Sequence, residues 1–520
     1  MNEKKITYTS LSTDENGHHA YEQALQKVEG GLGKRYPMVI DGKKVFADTE
    51  FRVISPIDTS MVIGCFQQGD ARHGAMAISS AKTAFSSWGL IEWTRRAGII
   101  RKTADILKER LYRVAAIVTC EVGKTREEAI AEVSEAIDML HYHQEVYEKN
   151  QGYILPMRPE GRGTTHSVMH PYGVWAVISP FNFPVSLAAG MAGGALLTGN
   201  TVVLKPTSKA PLSGYCLYRA FIEGGVPSGA IQYLTGPGEP FGNLVVKHTD
   251  IAGIAFTGSR DAGMWLYRNF SHEQPYPKPL IAEMGSKNPV IVTSHANLEK
   301  AVEGIVHSAF GYNGQKCSAT SRVYIHSSVK SAFLKALLQR VSDLIIGDPR
   351  KREVFMGPLI DEYALKTFEG AVEICRKDGG AILYGGKALT DREYSNGTYV
   401  EPTVVTGLSD DHPLMKRELF VPFLIVKTFH SLQNALEMAN GTPYGLTAGI
   451  FTENEEEREY FFKHIQSGVC YANREGGATT GAWPGSQSFG GWNASGSTGK
   501  GVGGPYYLLS YLREQAQTRL

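Results

Sequence analysis

Five short segments of this chain hold side chains able to do chemistry. Cys317 stands in Tyr312-Asn313-Gly314-Gln315-Lys316-Cys317-Ser318-Ala319-Thr320-Ser321-Arg322. Its neighbours are small and polar, and two cations, Lys316 and Arg322, are near in sequence. Positive charge and backbone N–H groups favour a thiolate, so a sulfur nucleophile could be generated here. The competing reading is a buried cysteine acting as a small hydrophobe, the reading preferred for Cys65, Cys120, Cys216, Cys375 and Cys470. Glu283, in Leu280-Ile281-Ala282-Glu283-Met284-Gly285, ends an apolar run just before a glycine turn. Burial there would lift its pKa toward neutrality, where a general base works best. A surface glutamate in a turn is the alternative. Asn182, in Ile178-Ser179-Pro180-Phe181-Asn182-Phe183-Pro184, follows another apolar run. Its amide could stabilise a developing oxyanion, or it could simply shape a turn beside proline. Lys205 ends the run Val202-Val203-Leu204 and could reach ribose hydroxyls or a phosphate. Gly258 and Gly263, in Phe256-Thr257-Gly258-Ser259-Arg260-Asp261-Ala262-Gly263, mark a strand-to-helix turn whose free N–H groups suit a phosphate. The dinucleotide fingerprint GxGxxG is absent there.

The elements that must position these groups follow from hydrophobic periodicity. Residues 73–148 read as helices, with apolar residues at helical spacing in 75–88 and 95–111. From 171 to 270 strands and helices alternate: strands at 174–179, 201–205, 231–234 and 251–256, helices at 185–197, 212–223, 241–247 and 262–270. A second alternation begins near Pro289, with strands at 289–293, 321–325, 403–405, 424–429 and 449–451, and helices at 298–310 and 329–345. Such alternation implies parallel sheets covered on both faces, an α/β class. Asn182, Lys205, Gly258 and Glu283 then all fall at the carboxyl ends of strands, where open α/β sheets bind ligands. The stretch 485–504 is rich in Gly and Ser and reads as an ordered loop approaching a ligand or partner; 506–512 reads as a final strand.

Composition sets the boundaries of function. The 520 residues carry a net charge of +1, which offers no field for nucleic acid or anionic lipid. Apolar residues make up 42% and charged residues 20%, as in ordinary globular proteins. The opening residues lack the apolar core of a secretory signal, and the most apolar run, 185–197, is too short to span a bilayer. Six cysteines without a CxxC pair argue against a zinc site or disulfide framework and fit a reducing cytoplasm.

Taken together, these segments resemble the aldehyde dehydrogenase superfamily from about residue 36 to the C-terminus. Pro180-Phe181-Asn182-Phe183-Pro184 is similar to its oxyanion motif, Lys205-Pro206 to its cofactor-lysine motif, and Phe256-Thr257-Gly258-Ser259 to its phosphate-helix motif. Glu283-Met284-Gly285-Ser286-Lys287 resembles the general-base motif E-L-G-G-K, and Gly314-Gln315-Lys316-Cys317 the nucleophile motif. Glu418-Leu419-Phe420-Val421-Pro422 resembles E-x-F-G-P, with valine in place of glycine. The resemblance implies Cys317 as nucleophile, Asn182 as oxyanion donor and Glu283 as base. It implies Ser179, Pro180, Lys205, Ser208, Gly258, Ser259, Glu418 and Phe420 around NAD or NADP. Where many NAD-preferring relatives place a glutamate, this chain has Ser208 followed by Lys209. That change removes repulsion of a 2′-phosphate and offers attraction, so NADP is expected to be accepted.

Within the superfamily the chain most resembles the 1-pyrroline-5-carboxylate (glutamate-semialdehyde) dehydrogenase branch. Ser318 after the nucleophile, the loop Thr480-Gly481-Ala482-Trp483-Pro484-Gly485-Ser486-Gln487-Ser488-Phe489-Gly490-Gly491 and the segment Gly499-Lys500-Gly501-Val502-Gly503-Gly504-Pro505 carry that likeness. It implies that Ser318 and the N–H groups of Gly481 and Ala482 bind a substrate carboxylate, that Phe183 and Phe489 clamp the methylene chain, and that Glu135 faces the substrate amine. The implied fold has two doubly wound α/β domains and a small β flap. The NAD(P)-binding domain would comprise 36–148 and 171–284 with an N-terminal arm of 1–35, the catalytic domain 285–484, and the oligomerisation flap 149–170 and 500–520. A homodimer or larger homo-oligomer, with no nucleic-acid or membrane partner and no metal, is expected. The rival readings are another semialdehyde dehydrogenase, such as one acting on succinate semialdehyde, and a non-catalytic member of the family. The first would be expected to bind its carboxylate with arginine, and residues 476–491 contain none.

Overall fold

The computed structural model describes residues 13–158, 161, 163–474, 476 and 483–520. Runs such as Val174–Ser179 (VWAVIS) and Thr201–Pro206 (TVVLKP) are apolar on both sides of the strand, and both are almost wholly buried. Only a parallel sheet sandwiched between helices hides such strands on both faces. The first seven-stranded sheet has the order Leu280–Glu283, Ile251–Thr257, Val174–Ser179, Thr201–Pro206, Ile231–Tyr233, Met38–Ile40, Lys43–Val45. Its first five strands are parallel; Met38–Ile40 and Lys43–Val45 extend it as an antiparallel hairpin. The chain leaves Val174–Ser179 in one direction and returns to its other side with Ile251–Thr257. The strand order therefore reverses beside Val174–Ser179, and a crevice opens at that reversal.

The second seven-stranded sheet runs Ala381–Tyr384, Thr403–Thr406, Phe423–Phe429, Thr320–His326, Asn288–Val292, Thr447–Phe451, Val469–Ala472, with only Ala381–Tyr384 antiparallel. A three-stranded antiparallel sheet joins Leu512–Arg519, Thr164–Pro171 and Ile154–Pro156. The α/β class and the short β flap were expected. Four details were not. Residues Tyr507–Tyr511 form a 3-10 turn rather than a strand, and the terminal strand is Leu512–Arg519. The side chains of Tyr507 and Tyr511 turn inward and share a 2.8 Å hydroxyl contact, which a flap strand could not provide. A helix at Glu15–Glu29, started by Asp14 accepting from the Gly17 N–H, occupies the polar N-terminal arm. A further small sheet pairs Lys34–Tyr36, Val62–Gln67 and Glu50–Ile54. The helix expected to reach Ile345 ends at Ser342.

The helix Ser186–Leu197 is buried along nearly its whole length. Its small residues let neighbours approach closely: a Cβ at Gly193 would overlap Leu140 of the long helix Arg126–Lys149. The crevice side of the first sheet is thereby fixed against that long helix, whose Glu128 also reaches Lys316 beside Cys317.

Candidate active site

The two large sheets meet where the expected functional residues converge. Glu135, Phe183, Cys317 and Phe489 line one cleft, with Leu187 and Val502 among its apolar walls. They come from four places in the sequence: the helix Arg126–Lys149, the turn after Val174–Ser179, the segment before Thr320–His326, and the Gly-rich loop after residue 483. Ser318 is fully buried beside Cys317 and is not among the residues lining that cleft. Gly481 and Ala482 lie outside the described residues.

The Cys317 segment is held by groups remote in sequence. Asn288 Nδ2 donates to the carbonyls of Cys317 (2.7 Å) and Ala319 (2.9 Å), and Asn288 Oδ1 accepts from Thr447 N–H (3.0 Å). Thr447 Oγ1 donates to the Ser318 carbonyl at 3.2 Å. Asn288 thus ties the Cys317 loop to two strands, a role its sequence context did not reveal. The expectation that Lys316 and Arg322 favour the thiolate is overturned. Lys316 Nζ pairs with Glu128 Oε1 at 2.7 Å, and the Arg322 guanidinium donates to Lys287 O, Tyr324 Oη, Met438 O and Ala439 O. Both cations are committed elsewhere. Burial first, and then the charges of Glu418 and Glu283, hold the Cys317 thiol well above its ordinary pKa; the N–H groups of Cys317 and Ser318 oppose them. Those two N–H groups, rather than side-chain cations, are the local donors at the sulfur.

Glu283 ends the strand Leu280–Glu283 and is buried. Burial pushes its carboxyl up to about 8, opposed only by the N–H of Gly491, which donates to Oε2 at 3.1 Å. The Gly-rich loop straps this strand: Ser497 Oγ accepts from Ala282 N–H, Met284 N–H donates to Ser495 O, and Ser495 Oγ donates to Gly285 O. Residues 485–504, read as a loop approaching a ligand or partner, approach Glu283 and its strand. Asn182 sits in the turn after Val174–Ser179 and is 3% exposed.

Polar groups stand at or just after the strand ends. Ser179 Oγ is buried without a hydrogen-bond partner among the described residues. Among the described residues Lys205 Nζ, pushed down to about 8 by burial, donates to its neighbour's carbonyl, Pro206 O, at 3.2 Å and to no other group. Ser259 caps the helix Arg260–Glu273, and the Gly258 N–H is bound to Glu283 O at 3.1 Å. Glu418 Oε1 accepts from the Ser286 N–H at 2.8 Å, and burial lifts its carboxyl to about 7. A Cβ at Gly285 would overlap the Glu418 carboxylate, so a side chain there would displace that group. Phe420 takes the left-handed backbone conformation (φ 60) and its ring meets Phe181 edge-on at 5.9 Å. Because the left-handed residue is Phe420, Val421 occupies the glycine position of the motif without a positive φ. A helix N-terminus, an unpartnered buried hydroxyl and a buried amine with one weak contact suit a dinucleotide's phosphates and ribose. Ser208 Oγ donates to Gly236 O at 2.7 Å. The expectation that Lys209 attracts a 2′-phosphate meets a competitor: its ammonium pairs with Asp361 and lies 5.3 Å from the centroid of the Phe181 ring.

Comparison with known proteins gives a consistent picture. Residues 45–516 match the family described as "Aldehyde dehydrogenase family". A 1-pyrroline-5-carboxylate dehydrogenase from a Geobacillus species is 36% identical over 511 residues, covering 97% of this chain and 96% of the relative. The solved structure of a 1-pyrroline-5-carboxylate dehydrogenase from Thermus with bound NAD superimposes with a TM-score of 0.94 at 31% identity, covering 100% of both chains. Proline utilization A from Bdellovibrio bacteriovorus matches with a TM-score of 0.92 at 31% identity over 96% of this chain, which spans 51% of that longer protein.

Proposed function

The chain belongs to the aldehyde dehydrogenase family, and we propose that it oxidises L-glutamate γ-semialdehyde, the open form of 1-pyrroline-5-carboxylate, to L-glutamate, with NAD or NADP as hydride acceptor. This activity would place it in proline catabolism. The observation that carries the reading is the cleft at Cys317, where a thiol, a carboxylate from Glu135 and two phenyl rings, Phe183 and Phe489, face one another. A thiol suits an aldehyde carbon, the rings suit a short methylene chain, and Glu135 suits an ammonium group. The similarly folded Thermus enzyme supports the same assignment.

The chemistry would run as follows. The Cys317 thiolate attacks the aldehyde carbon. The Asn182 amide and the Cys317 N–H hold the oxyanion. When bound, the nicotinamide accepts the hydride, which leaves a thioester on Cys317. Glu283 then takes a proton from the water that hydrolyses the thioester. Lys205, Ser208, Ser179, Pro180, Gly258, Ser259, Glu418 and Phe420 would hold the cofactor, and Ser318 with the N–H groups of Gly481 and Ala482 would hold the substrate carboxylate. The first sheet would form the NAD(P)-binding domain (36–148 and 171–284, with the arm 1–35), the second the catalytic domain (285–484). The flap (149–170 and 500–520) would join copies of the chain, a role supported by the exposed Ile154, Leu155 and Met157 at its edge. Six free cysteines support a reducing compartment, the cytoplasm. Among the described residues no helix is long and apolar enough to cross a membrane.

A substrate panel tests the reading. Glutamate semialdehyde is expected to give a higher kcat/KM than succinate semialdehyde, because Arg474, which precedes the loop in sequence, already donates to Gln487 at 3.1 Å. Faster turnover of succinate semialdehyde would overturn the substrate assignment, and an inert protein would identify a non-catalytic family member.

A further inference from the structure

We infer that the buried ion pair Lys124–Glu132 is the positioning device of the substrate cleft, holding the Phe183 ring from below and fixing the end of the loop that carries Asn182. The inference rests on Phe183 facing the aldehyde as proposed above. Both side chains are fully buried, with Lys124 Nζ 2.6 Å from Glu132 Oε2. Lys124 Nζ also lies 3.5 Å from the centroid of the Phe183 ring and 5.1 Å from that of Tyr312, a residue of the nucleophile segment. The cation therefore stands between the loop that bears the substrate wall and the segment that bears the thiol. Its attraction to a ring face is strongest when water is excluded, as here.

The other oxygen of the same carboxylate works on the backbone. Glu132 Oε1 accepts from the N–H of Val185 (2.9 Å) and of Ser186 (3.4 Å). Ser186 opens the helix Ser186–Leu197, which has no side-chain cap of its own. Glu132 supplies that cap from the neighbouring helix and pins the downstream end of the segment 180–185. The positions on the helix Arg126–Lys149 form a stripe: Glu128, Glu132 and Glu135 stand at i, i+4 and i+7. Glu128 grips Lys316 beside the nucleophile, Glu132 grips Lys124 beneath Phe183, and Glu135 opens onto the cleft. A fully buried pair is costly to desolvate, and apolar substitutes of similar size often leave a fold as stable or more so. Its contacts with a cleft-lining ring and a helix start assign it a task besides stability.

The test uses Lys124→Met, Glu132→Gln, the double variant and Lys124→Arg in the full chain. Melting temperature is measured with steady-state kinetics on glutamate semialdehyde, hexanal and propanal. The first two aldehydes are long enough to lie against Phe183, while propanal reaches Cys317 with less of that contact. Lys124→Met is expected to raise KM for the long aldehydes about tenfold with propanal little changed. Lys124→Arg, which keeps the cation, is expected to recover most of that loss. The double variant carries no unpaired buried charge, so its melting temperature is expected to return toward wild type while KM for the long aldehydes stays raised; it is the informative arm if the single variants do not fold. The proposal is overturned if KM for the long aldehydes recovers together with melting temperature, if Lys124→Met affects propanal as much as hexanal, or if Lys124→Met changes no KM. Wild-type turnover of hexanal without turnover of glutamate semialdehyde would refute the substrate assignment, and the pair would then be judged on hexanal against propanal.

Discussion

The state of Glu283 makes a quantitative prediction for the hydrolytic half of the reaction. Burial raises this carboxyl to about 8, opposed among the described residues by the N–H of Gly491. An acid with that pKa is about one-tenth ionised at pH 7 and about nine-tenths at pH 9. Only the ionised form can take a proton from water, so thioester hydrolysis is expected to speed up about tenfold across that interval. The assay is rapid-mixing kinetics with saturating aldehyde and cofactor, recording NAD(P)H absorbance. In wild type the steady-state rate should climb with an apparent pKa near 8. In Glu283→Gln an initial burst close to the concentration of sites should survive, followed by slow turnover with no climb. The amide keeps an acceptor for the Gly491 N–H but cannot become a base. A wild-type steady-state rate that is flat from pH 6.5 to 9, under conditions where hydrolysis limits turnover, would refute this account of the base. So would a Glu283→Gln profile that matches wild type.

Other perturbations follow from individual contacts. Gly285→Ala puts a methyl group into the space of the Glu418 carboxylate; the KM for NAD should rise well above tenfold while the aldehyde KM moves little, read by varying each at saturation of the other. Asn182→Ala should lower kcat by about 10²–10³-fold, the usual effect of removing one oxyanion donor, with the fold intact by circular dichroism. Asp361→Asn releases Lys209 from its ion pair and should shift the ratio of kcat/KM for NADP over NAD upward; an unchanged ratio would separate Lys209 from the 2′-phosphate. Removing Leu512–Arg519 strips one strand from the flap sheet; on the proposal that the flap joins copies of the chain, light scattering should find smaller species than for the full chain.

Local chemistry made the positions of Asn182, Lys205, Gly258 and Glu283 legible, because buried parallel strands announce themselves as apolar runs and ligands gather at their carboxyl ends. The fate of the charges was not legible. Lys316 and Arg322 look like thiolate supports from their spacing, yet their partners, Glu128 and the Met438 and Ala439 carbonyls, lie more than a hundred residues away. Asn288 escaped notice because its task is to bridge two strands, and an Asn before Pro289 reads as turn chemistry. The terminal strand Leu512–Arg519 is polar and mostly exposed, so it lacks the alternation that marks a half-buried strand; the apolar 507–511 instead fills the core as a 3-10 turn. The N-terminal helix depends on Asp14 as its cap and on packing of Tyr21, whose hydroxyl donates to Thr119 Oγ1 at 2.7 Å, nearly a hundred residues on.

The central claim is that Cys317 carries the substrate as a thioester between oxidation and hydrolysis. Glu283→Gln mixed with glutamate semialdehyde and cofactor, quenched in acid during the burst and digested, tests it by peptide mass spectrometry. The account predicts a glutamyl adduct on the peptide containing Cys317, absent from Cys317→Ala and absent when cofactor is omitted. Product formation in the burst with an unmodified Cys317 peptide, or an adduct on another cysteine instead, would contradict it.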